Sequence, residues 1–169
     1  MNRSVVIAML VLSGCGGYSI HNIDKPAPEA YEKWMKPGLS QIDVKKAMLE
    51  CGAPHYAVTG FMYEKALGLK TLDEQLSYAF MVSACMEKSG FVARWDSVEQ
   101  SCRKFPKYKT YPACQPNTAI PERSVERRLN SWYCRLKTDR EYCRKHAFSP
   151  SACDDPKKDY DNPPPECRP

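Results

Sequence analysis

The chain has 169 residues, a formal net charge of +5 and 27% charged residues, and it contains 14 prolines but only 8 glycines. Its length corresponds to about one domain once the apolar leader described below is set aside. Abundant charge and proline with scarce glycine argue against a many-turned β-sandwich. We therefore predict a mainly α single domain with a central buried helix, with α+β as the alternative if a small antiparallel sheet is present.

A short apolar leader opens the chain. Arg3 supplies a positive charge, residues 5–12 are uninterruptedly apolar, and two small residues, Ser13 and Gly14, follow. This order is typical of an export signal. A helix needs about 20 apolar residues to cross a bilayer core, so this leader is too short to span it. We predict that residues 1–14 are a signal peptide.

The end of the leader, Leu12-Ser13-Gly14-Cys15, resembles the lipobox of bacterial lipoproteins at all four positions. The resemblance implies that Cys15 becomes the first residue of the mature chain and carries a diacylglyceryl thioether and a further amide-linked chain such as palmitate. Two acyl chains give stable membrane attachment, whereas one gives only marginal attachment. The alternative is a free secreted protein in which Cys15 is an ordinary cysteine.

The residue after the cysteine bears on which membrane holds the protein. In the enterobacterial sorting pattern, an Asp at this position retains a lipoprotein in the inner membrane, and here it is Gly16. The resemblance therefore implies the outer membrane, with the body facing the periplasm or the exterior. Residues 15–30 are predicted to be a lipidated tether, because they are polar and contain proline.

An even number of cysteines remains once Cys15 is set aside. In an exported chain this predicts a disulfide framework, although the sequence cannot fix its connectivity. No two of these cysteines are closer than nine residues, so the clustered ligands of a zinc site are missing, and we predict no metal and no cofactor. The predicted pairs are Cys51–Cys85, Cys102–Cys114, Cys134–Cys143 and Cys153–Cys167.

A globular domain is predicted over residues 31–148, and its first helix over residues 41–50. Ser40 is a good N-cap and Asp43 completes a capping box, while Gly52 is a natural stop. The spacing in this region also resembles the short helix motif of the SmpA/OmlA lipoproteins, which take part in assembling outer-membrane proteins. That resemblance implies a second helix and then a three-stranded antiparallel sheet. It covers residues 38–54 and rests on Gly38, Ser40, Val44, Met48, Gly52 and Pro54.

The central helix is predicted over residues 72–88. Thr71 and Glu74 form a capping box in front of a segment that is apolar on two sides, which is typical of a helix buried on both sides. Residues 55–61 alternate loosely and are predicted to be a strand, paired with a second strand over residues 91–94.

Two further helical regions are predicted in the second half. Asp96 is expected to cap a short helix that ends before Pro106, and Pro121 is expected to open a longer one. A stripe of apolar side chains would place Cys134 of this longer helix on its solvent side, with Cys143 or Cys153 within reach. Another short helix should begin at residue 138 or 139. The stripe consists of Val125, Leu129, Trp132 and Leu136.

The last segment, residues 149–169, is rich in proline, which disfavours both helix and sheet. It is expected to be either a polyproline-like extension or a strap pinned by Cys153 and Cys167.

Positive charge is concentrated between residues 103 and 145, where 12 Lys or Arg face four Asp or Glu among interleaved aromatic residues. In an exported lipoprotein such a segment meets lipid phosphates, lipopolysaccharide or anionic glycans before it meets nucleic acid. The alternative is a solvated basic face partly neutralised by the acidic residues of the tail. The candidate anion-binding residues are Arg123, Arg127, Arg128, Arg135, Arg140, Arg144 and Lys145.

Signals for an enzyme are weak. Ser101 and Lys104 match the Ser-x-x-Lys motif of β-lactamases, but the Ser-Asp-Asn and Lys-Thr-Gly elements that accompany it are missing. His55 and His146 are candidate bases, and we interpret them as surface or hydrogen-bonded side chains. A small envelope hydrolase is the least favoured hypothesis.

We therefore expect a non-catalytic, lipid-anchored module that interacts with the proteins of an envelope assembly. The alternative is a binding or exclusion lipoprotein whose basic face recognises an anionic glycan, lipopolysaccharide, or phage or plasmid machinery.

Overall fold

The computed structural model describes residues 28–57 and 60–169. Within these ranges the chain folds into seven α-helices, a two-stranded antiparallel ribbon and four disulfides. The predicted fold class, mainly helical with a small antiparallel sheet and disulfide staples, is confirmed. The predicted signal peptide, Cys15 and most of the predicted tether lie outside the described residues.

Most of the α-helices and strands follow one another closely, whereas residues 105–124 form a long connection between α4 and α5. The helices are α1 (Gln41–Glu50), α2 (Gly60–Leu67), α3 (Leu72–Lys88), α4 (Val98–Lys104), α5 (Val125–Leu129), α6 (Trp132–Thr138) and α7 (Arg140–His146), and the strands are β1 (Trp34–Met35) and β2 (Val92–Ala93). Short 3₁₀ helices occupy Ala30–Lys33, Pro106–Thr110, Pro112–Cys114, Pro150–Asp154 and Pro165–Cys167.

The bounds predicted for α1 and α3 are confirmed, and both helices begin with the predicted capping boxes. In α1, Ser40 Oγ accepts from the Asp43 amide at 3.3 Å and the Asp43 carboxylate accepts from the Ser40 amide at 2.9 Å. Thr71 and Glu74 make the same reciprocal pair at the start of α3. Each box satisfies backbone N–H groups that would otherwise lack partners, so the start of each helix is set locally.

The main core forms where α1 and α3 pack together beneath the ribbon. Its buried members are Trp34, Val44, Ala47, Met48, Cys51, Ala53, Val82, Cys85, Met86 and Phe91. The predicted Cys51–Cys85 disulfide joins the end of α1 to α3 inside this core. A second, smaller cluster packs Leu49 of α1 against α6 and the C-terminal segment.

The predicted pairing of residues 55–61 with 91–94 is wrong. Residues 55–57 form a turn, α2 follows from Gly60, and β2 pairs with β1 in the register Trp34 with Ala93 and Met35 with Val92. The side chains of His55 and Tyr56 pack on Tyr133 of α6, so this segment is held by ring contacts. The three-stranded sheet implied by the SmpA/OmlA resemblance is not formed by the described residues, which hold only the two-stranded ribbon.

The long helix predicted after Pro121 is divided into α5 and α6. α5 begins at Val125 with Ser124 as its N-cap, and not at Pro121, and Ser131 starts α6 by accepting from the Cys134 amide at 3.2 Å. A serine hydroxyl that binds a backbone N–H group takes the place of a helical hydrogen bond, and so it can separate two helices. The break turns α6 relative to α5, so Val125 is 50% exposed whereas Cys134 is fully buried. The predicted solvent-side position of Cys134 is therefore wrong.

Serine also caps the other short helix of this half. The N-cap of α4 is Ser97, whose hydroxyl accepts from the Gln100 amide, and not Asp96, which pairs instead with Lys104 at 3.0 Å. Asp139 caps α7 as predicted.

The disulfides confirm two predicted pairs and correct two. Cys51–Cys85 and Cys102–Cys114 are present, whereas the remaining four cysteines pair as Cys134–Cys167 and Cys143–Cys153. The buried side of α6 faces the 3₁₀ helix Pro165–Cys167, and α7 packs on Pro150–Asp154, so each helix bonds to the segment that covers it. The proline-rich tail is a strap fixed to the body at two points.

Candidate functional site

Three of the predicted anion-binding arginines converge on Glu50, the last residue of α1. The buried carboxylate of Glu50 accepts from Arg123 Nε at 2.7 Å through Oε2 and from Arg128 Nε at 3.1 Å through Oε1. Its backbone carbonyl accepts from Arg127 Nη1 at 2.6 Å. These guanidinium groups are already occupied by an internal carboxylate and by backbone oxygens, so this part of the basic segment joins α1 to α5.

Arg128 is the most deeply placed of these arginines, since its residue surface is only 2% exposed. Besides Glu50 it reaches the strap, where its Nη1 donates to the carbonyl oxygens of Glu166 and Arg168. A charge at this depth is tolerated only when it is paired and fully hydrogen-bonded. Arg128 therefore fixes the strap from inside and is not a surface anion ligand.

Two further predicted residues, Arg140 and Arg144 of α7, both bind Asp154 of the strap. Their Nη2 atoms lie 2.8 and 2.7 Å from the Asp154 Oδ1. These hydrogen bonds, to Arg144 first and Arg140 second, lower the pKa of the Asp154 carboxyl below its usual range. This pair of arginines matches the interpretation of a basic face neutralised by the acidic tail.

Arg135 and Lys145 line a shallow hollow of about 560 Å³ on the outside of α6 and α7. The Arg135 guanidinium lies 3.7 Å from the centroid of the Tyr142 ring, and that ring stacks on His146 with centroids 4.1 Å apart. Asp139 and Glu141 also line the hollow, so it is not purely cationic. The Arg135 Nη2 also lies 3.9 Å from the Asp139 Oδ2, so this guanidinium already has a carboxylate neighbour along the helix.

An aromatic cluster surrounds His55, in the turn after α1. The imidazole lies 4.7 Å from the Tyr56 ring and 4.6 Å from the Tyr133 ring, centroid to centroid. Burial, with a smaller contribution from Lys137, lowers the pKa of His55 to about 4. Its Nδ1 accepts from the Ala57 amide at 3.0 Å, so the neutral ring carries its proton on Nε2. His55 is thus a hydrogen-bonded, packed histidine.

The tyrosines of this cluster are tied to the strap. Tyr133 donates to the Glu166 carboxylate at 2.7 Å, and its hydroxyl lies 3.3 Å from that of Tyr56. Burial, together with the hydrogen bonds to Tyr56 and Glu166, raises the pKa of Tyr133 far above its usual range. The phenol therefore stays protonated and acts as a donor. The Lys45 ammonium lies over the rings of both Tyr31 and Tyr56, 4.5 and 4.6 Å from the two centroids.

A groove of about 750 Å³ lies between α3, α4 and the 3₁₀ helix Pro112–Cys114. The Cys102–Cys114 disulfide lines it and is partly exposed, whereas the six other disulfide cysteines are buried. Ser101 and Lys104, the residues of the Ser-x-x-Lys match, are close by on α4, and the Lys104 ammonium is engaged by Asp96.

Two acids that organise these networks, Glu50 and Glu166, were not singled out by the sequence analysis. Glu50 did carry a signal, because a carboxylate in the last turn of a helix opposes the helix dipole and so indicates a compensating partner. Glu166 carried none, since its role depends on the strap folding back onto α6.

Neither a metal cluster nor a membrane span is found in the parts of the chain that the structure describes. No group of three or more His, Cys, Asp or Glu residues there could hold a metal ion. None of the helices in residues 28–57 and 60–169 is long and apolar enough to cross a bilayer. Comparison of the chain with protein-family models, with curated proteins and with solved structures finds no match.

Proposed function

We propose that this chain is a lipoprotein anchored through acyl chains on Cys15 to the outer membrane, and that its body is a non-catalytic interaction module of an envelope protein assembly. The observation that carries the proposal is the disulfide arrangement. Of nine cysteines, eight close four disulfides within the body, and the cysteine left over is Cys15. This odd cysteine stands at the one position where a lipobox requires it.

The remaining features of the body support a rigid module exposed to an oxidising compartment. Disulfides persist in exported proteins and are rare in compartments where thiols are kept reduced, so a body with four disulfides suits export. Glu50 at the end of α1 binds Arg128 of α5, and Arg128 also binds the strap. The strap is bonded to α6 as well, through Cys134–Cys167. A rigid body presents its surface to a partner without paying for ordering on binding.

The anchor is tested by Cys15→Ser. We expect an unprocessed or soluble form in place of a membrane-associated one, because neither the thioether nor lipoprotein-specific cleavage can occur. Mass spectrometry of the N-terminal peptide and fractionation of the cells read this out. The double variant Cys102→Ser/Cys114→Ser is the matched control, since it removes cysteines of the body and should leave processing intact. Unchanged processing and fractionation of Cys15→Ser would rule out the anchor.

The assembly role is tested by crosslinking in intact cells and mass spectrometry of what is bound to the mature protein. A defined, stoichiometric set of envelope proteins is the expected result. Crosslinks through residues 31–54 would add weight to the SmpA/OmlA resemblance. Recovery without any protein partner would contradict the interaction module.

A second candidate function is the binding of an anionic glycan or lipopolysaccharide. The observation that favours it is the hollow lined by Arg135 and Lys145, the two predicted residues not used by Glu50 or Asp154. We expect lipopolysaccharide binding by the Cys15→Ser protein to weaken several-fold in Lys145→Gln and to weaken with added salt, because exposed charge contacts are screened. Lys109→Gln, on another surface, is the control. Equal binding by both variants would contradict this role.

A further inference from the structure

Two apolar side chains are exposed on the outer side of the β-ribbon, and a third is exposed in the bend that follows β2. Met35 and Val92 are cross-strand partners, so their side chains lie on the same face of the ribbon, and they are 45% and 59% exposed. Trp95, two residues after β2, is 58% exposed and lines one groove with Val92. The buried face of the same ribbon is formed by Trp34, which belongs to the core. We refer to Met35, Val92 and Trp95 as the ribbon face.

The ribbon face lies where the chain enters the body from its N-terminal segment. The 3₁₀ helix Ala30–Lys33 leads directly into β1, and the Lys33 carbonyl accepts from the Arg94 amide at 2.8 Å, next to Trp95. Any anchor at Cys15 therefore connects to the body beside these three side chains.

Basic and acidic groups both lie near the ribbon face, and the acids there have partners. Asp96 is engaged by Lys104 at 3.0 Å and Glu99 by Arg103 at 3.6 Å. Arg94 is exposed, and the ammonium of Lys36 lies at the ribbon's edge, where it donates to the Ser89 carbonyl. Glu87, which lines the same groove as Trp95, accepts from the Val98 amide at 2.9 Å. Four basic groups therefore lie near three acids, and this small excess of positive charge suits an anionic lipid headgroup; the basic groups are Lys36, Arg94, Arg103 and Lys104, and the acids are Glu87, Asp96 and Glu99.

We propose that the ribbon face rests on the lipid surface in which Cys15 is anchored. This inference rests on the proposed lipid anchor. An exposed tryptophan flanked by basic side chains is the pattern that settles at a membrane interface, where the ring sits at headgroup level. Lys and Arg beside it can keep their charge in water while their stems cover apolar surface.

Covalent geometry permits this contact. The 15 residues from Cys15 to Ala30 reach at most about 50 Å when fully extended, while a body of this size has a radius of gyration of about 14 Å. The 3₁₀ helix Ala30–Lys33, through which this segment joins the body, leads directly into the ribbon. The far end of α3, at Leu72, lies about 24 Å along the helix from Lys88, the end that leads into β2.

The test uses the mature lipidated protein in vesicles of phosphatidylethanolamine and phosphatidylglycerol that contain phospholipid brominated near the glycerol backbone. Bromine quenches tryptophan fluorescence at short range. The chain has three tryptophans, of which Trp34 and Trp132 are buried, so the signal lost in Trp95→Phe reports Trp95. We expect that signal to be blue-shifted and quenched by the brominated lipid, and we expect no such quenching in Trp95→Phe.

The matched control moves the reporter to the far end of α3. In Trp95→Phe/Leu72→Trp the new ring takes a 69% exposed position, and we expect it to escape quenching. Vesicle flotation separates the two proposals: protein that fails to float contradicts the anchor and, with it, this inference. Protein that floats with Trp95 unquenched, or with both positions quenched equally, overturns the ribbon-face contact alone. A photo-crosslinker at position 95 that captures a protein in cells, and no lipid, would also overturn it.

Discussion

The contact between Glu50 and Arg128 is a buried ion pair whose two side chains are 8% and 3% exposed. Removing one partner of such a pair leaves the other charge buried and uncompensated. We expect Glu50→Gln to lower the free energy of unfolding by about 3–5 kcal/mol. Urea unfolding measures this.

An exposed pair provides the control for that variant. Glu99 and Arg103 pair across one turn of α4 with side chains 78% and 72% exposed, so Glu99→Gln should change the free energy of unfolding by no more than about 1 kcal/mol. Similar losses in the two variants would show that the Glu50 network does not hold α1 to α5 and the strap.

The neutral imidazole of His55 should make the free energy of unfolding depend on pH. Its pKa is about 4 in the folded protein and 6.5 in the unfolded reference, so the unfolded chain binds the extra proton first as the pH falls. We expect His55 to destabilise the fold progressively between pH 6.5 and pH 4, and to have no such effect above that window.

His55→Asn isolates this contribution, because an amide oxygen can still accept from the Ala57 amide but does not titrate. Thermal unfolding of both proteins across the pH range, normalised at pH 8, should show a shallower acid loss for the variant. Parallel curves would mean that another group titrates. Carboxyl groups also titrate in this range, so only the difference between the two curves is assigned to His55.

At the scale of elements, the four disulfides differ in access to solvent. Cys102–Cys114 closes the loop between α4 and the 3₁₀ helix Pro112–Cys114 and is partly exposed, unlike the other three. Thiol–disulfide exchange needs access to the sulfur. Mild reduction followed by alkylation and peptide mass spectrometry should therefore label Cys102 and Cys114 before any other cysteine. Early labelling of Cys134 or Cys143 would contradict this order.

The Cys102–Cys114 disulfide should contribute moderately to the free energy of unfolding. Cross-linking a loop of this length is worth about 3 kcal/mol in the chain-entropy account. Cys102→Ser/Cys114→Ser should lose about that amount in urea unfolding while the core between α1 and α3 remains folded.

For the whole molecule, the strap connects elements that are distant along the chain. Glu166 accepts from Tyr133, the carbonyls of Glu166 and Arg168 accept from Arg128, and Cys167 bonds to Cys134. Charged hydrogen bonds of this kind contribute about 1.5–3 kcal/mol each. Ending the chain at Asn162 in a Cys134→Ser background should therefore cost about 3 kcal/mol or more beyond loss of the disulfide alone.

The reference for that comparison is full-length Cys134→Ser/Cys167→Ser, which removes the disulfide but keeps the strap. Urea unfolding of the two variants separates the covalent link from the hydrogen bonds. Equal stability would mean that the strap acts through Cys167 alone.

Local sequence was sufficient to predict α1, α3 and the start of α7, because each begins with a side chain that satisfies the first backbone N–H groups within its own turn. The even cysteine count indicated a complete disulfide framework, and two of the four predicted pairs, Cys51–Cys85 and Cys102–Cys114, are correct, although the sequence by itself did not fix the connectivity.

Tertiary structure decided which surfaces face inward. The break at Ser131 turned Cys134 toward the strap, and ring packing on Tyr133 held residues 55–57 as a turn, leaving β2 to pair with β1. In the folded chain, most of the predicted anion-binding arginines pair with Glu50 or Asp154 of the same molecule. A cap is closed by atoms a few residues apart, whereas burial and disulfide partners depend on contacts between segments that meet only once the chain has folded.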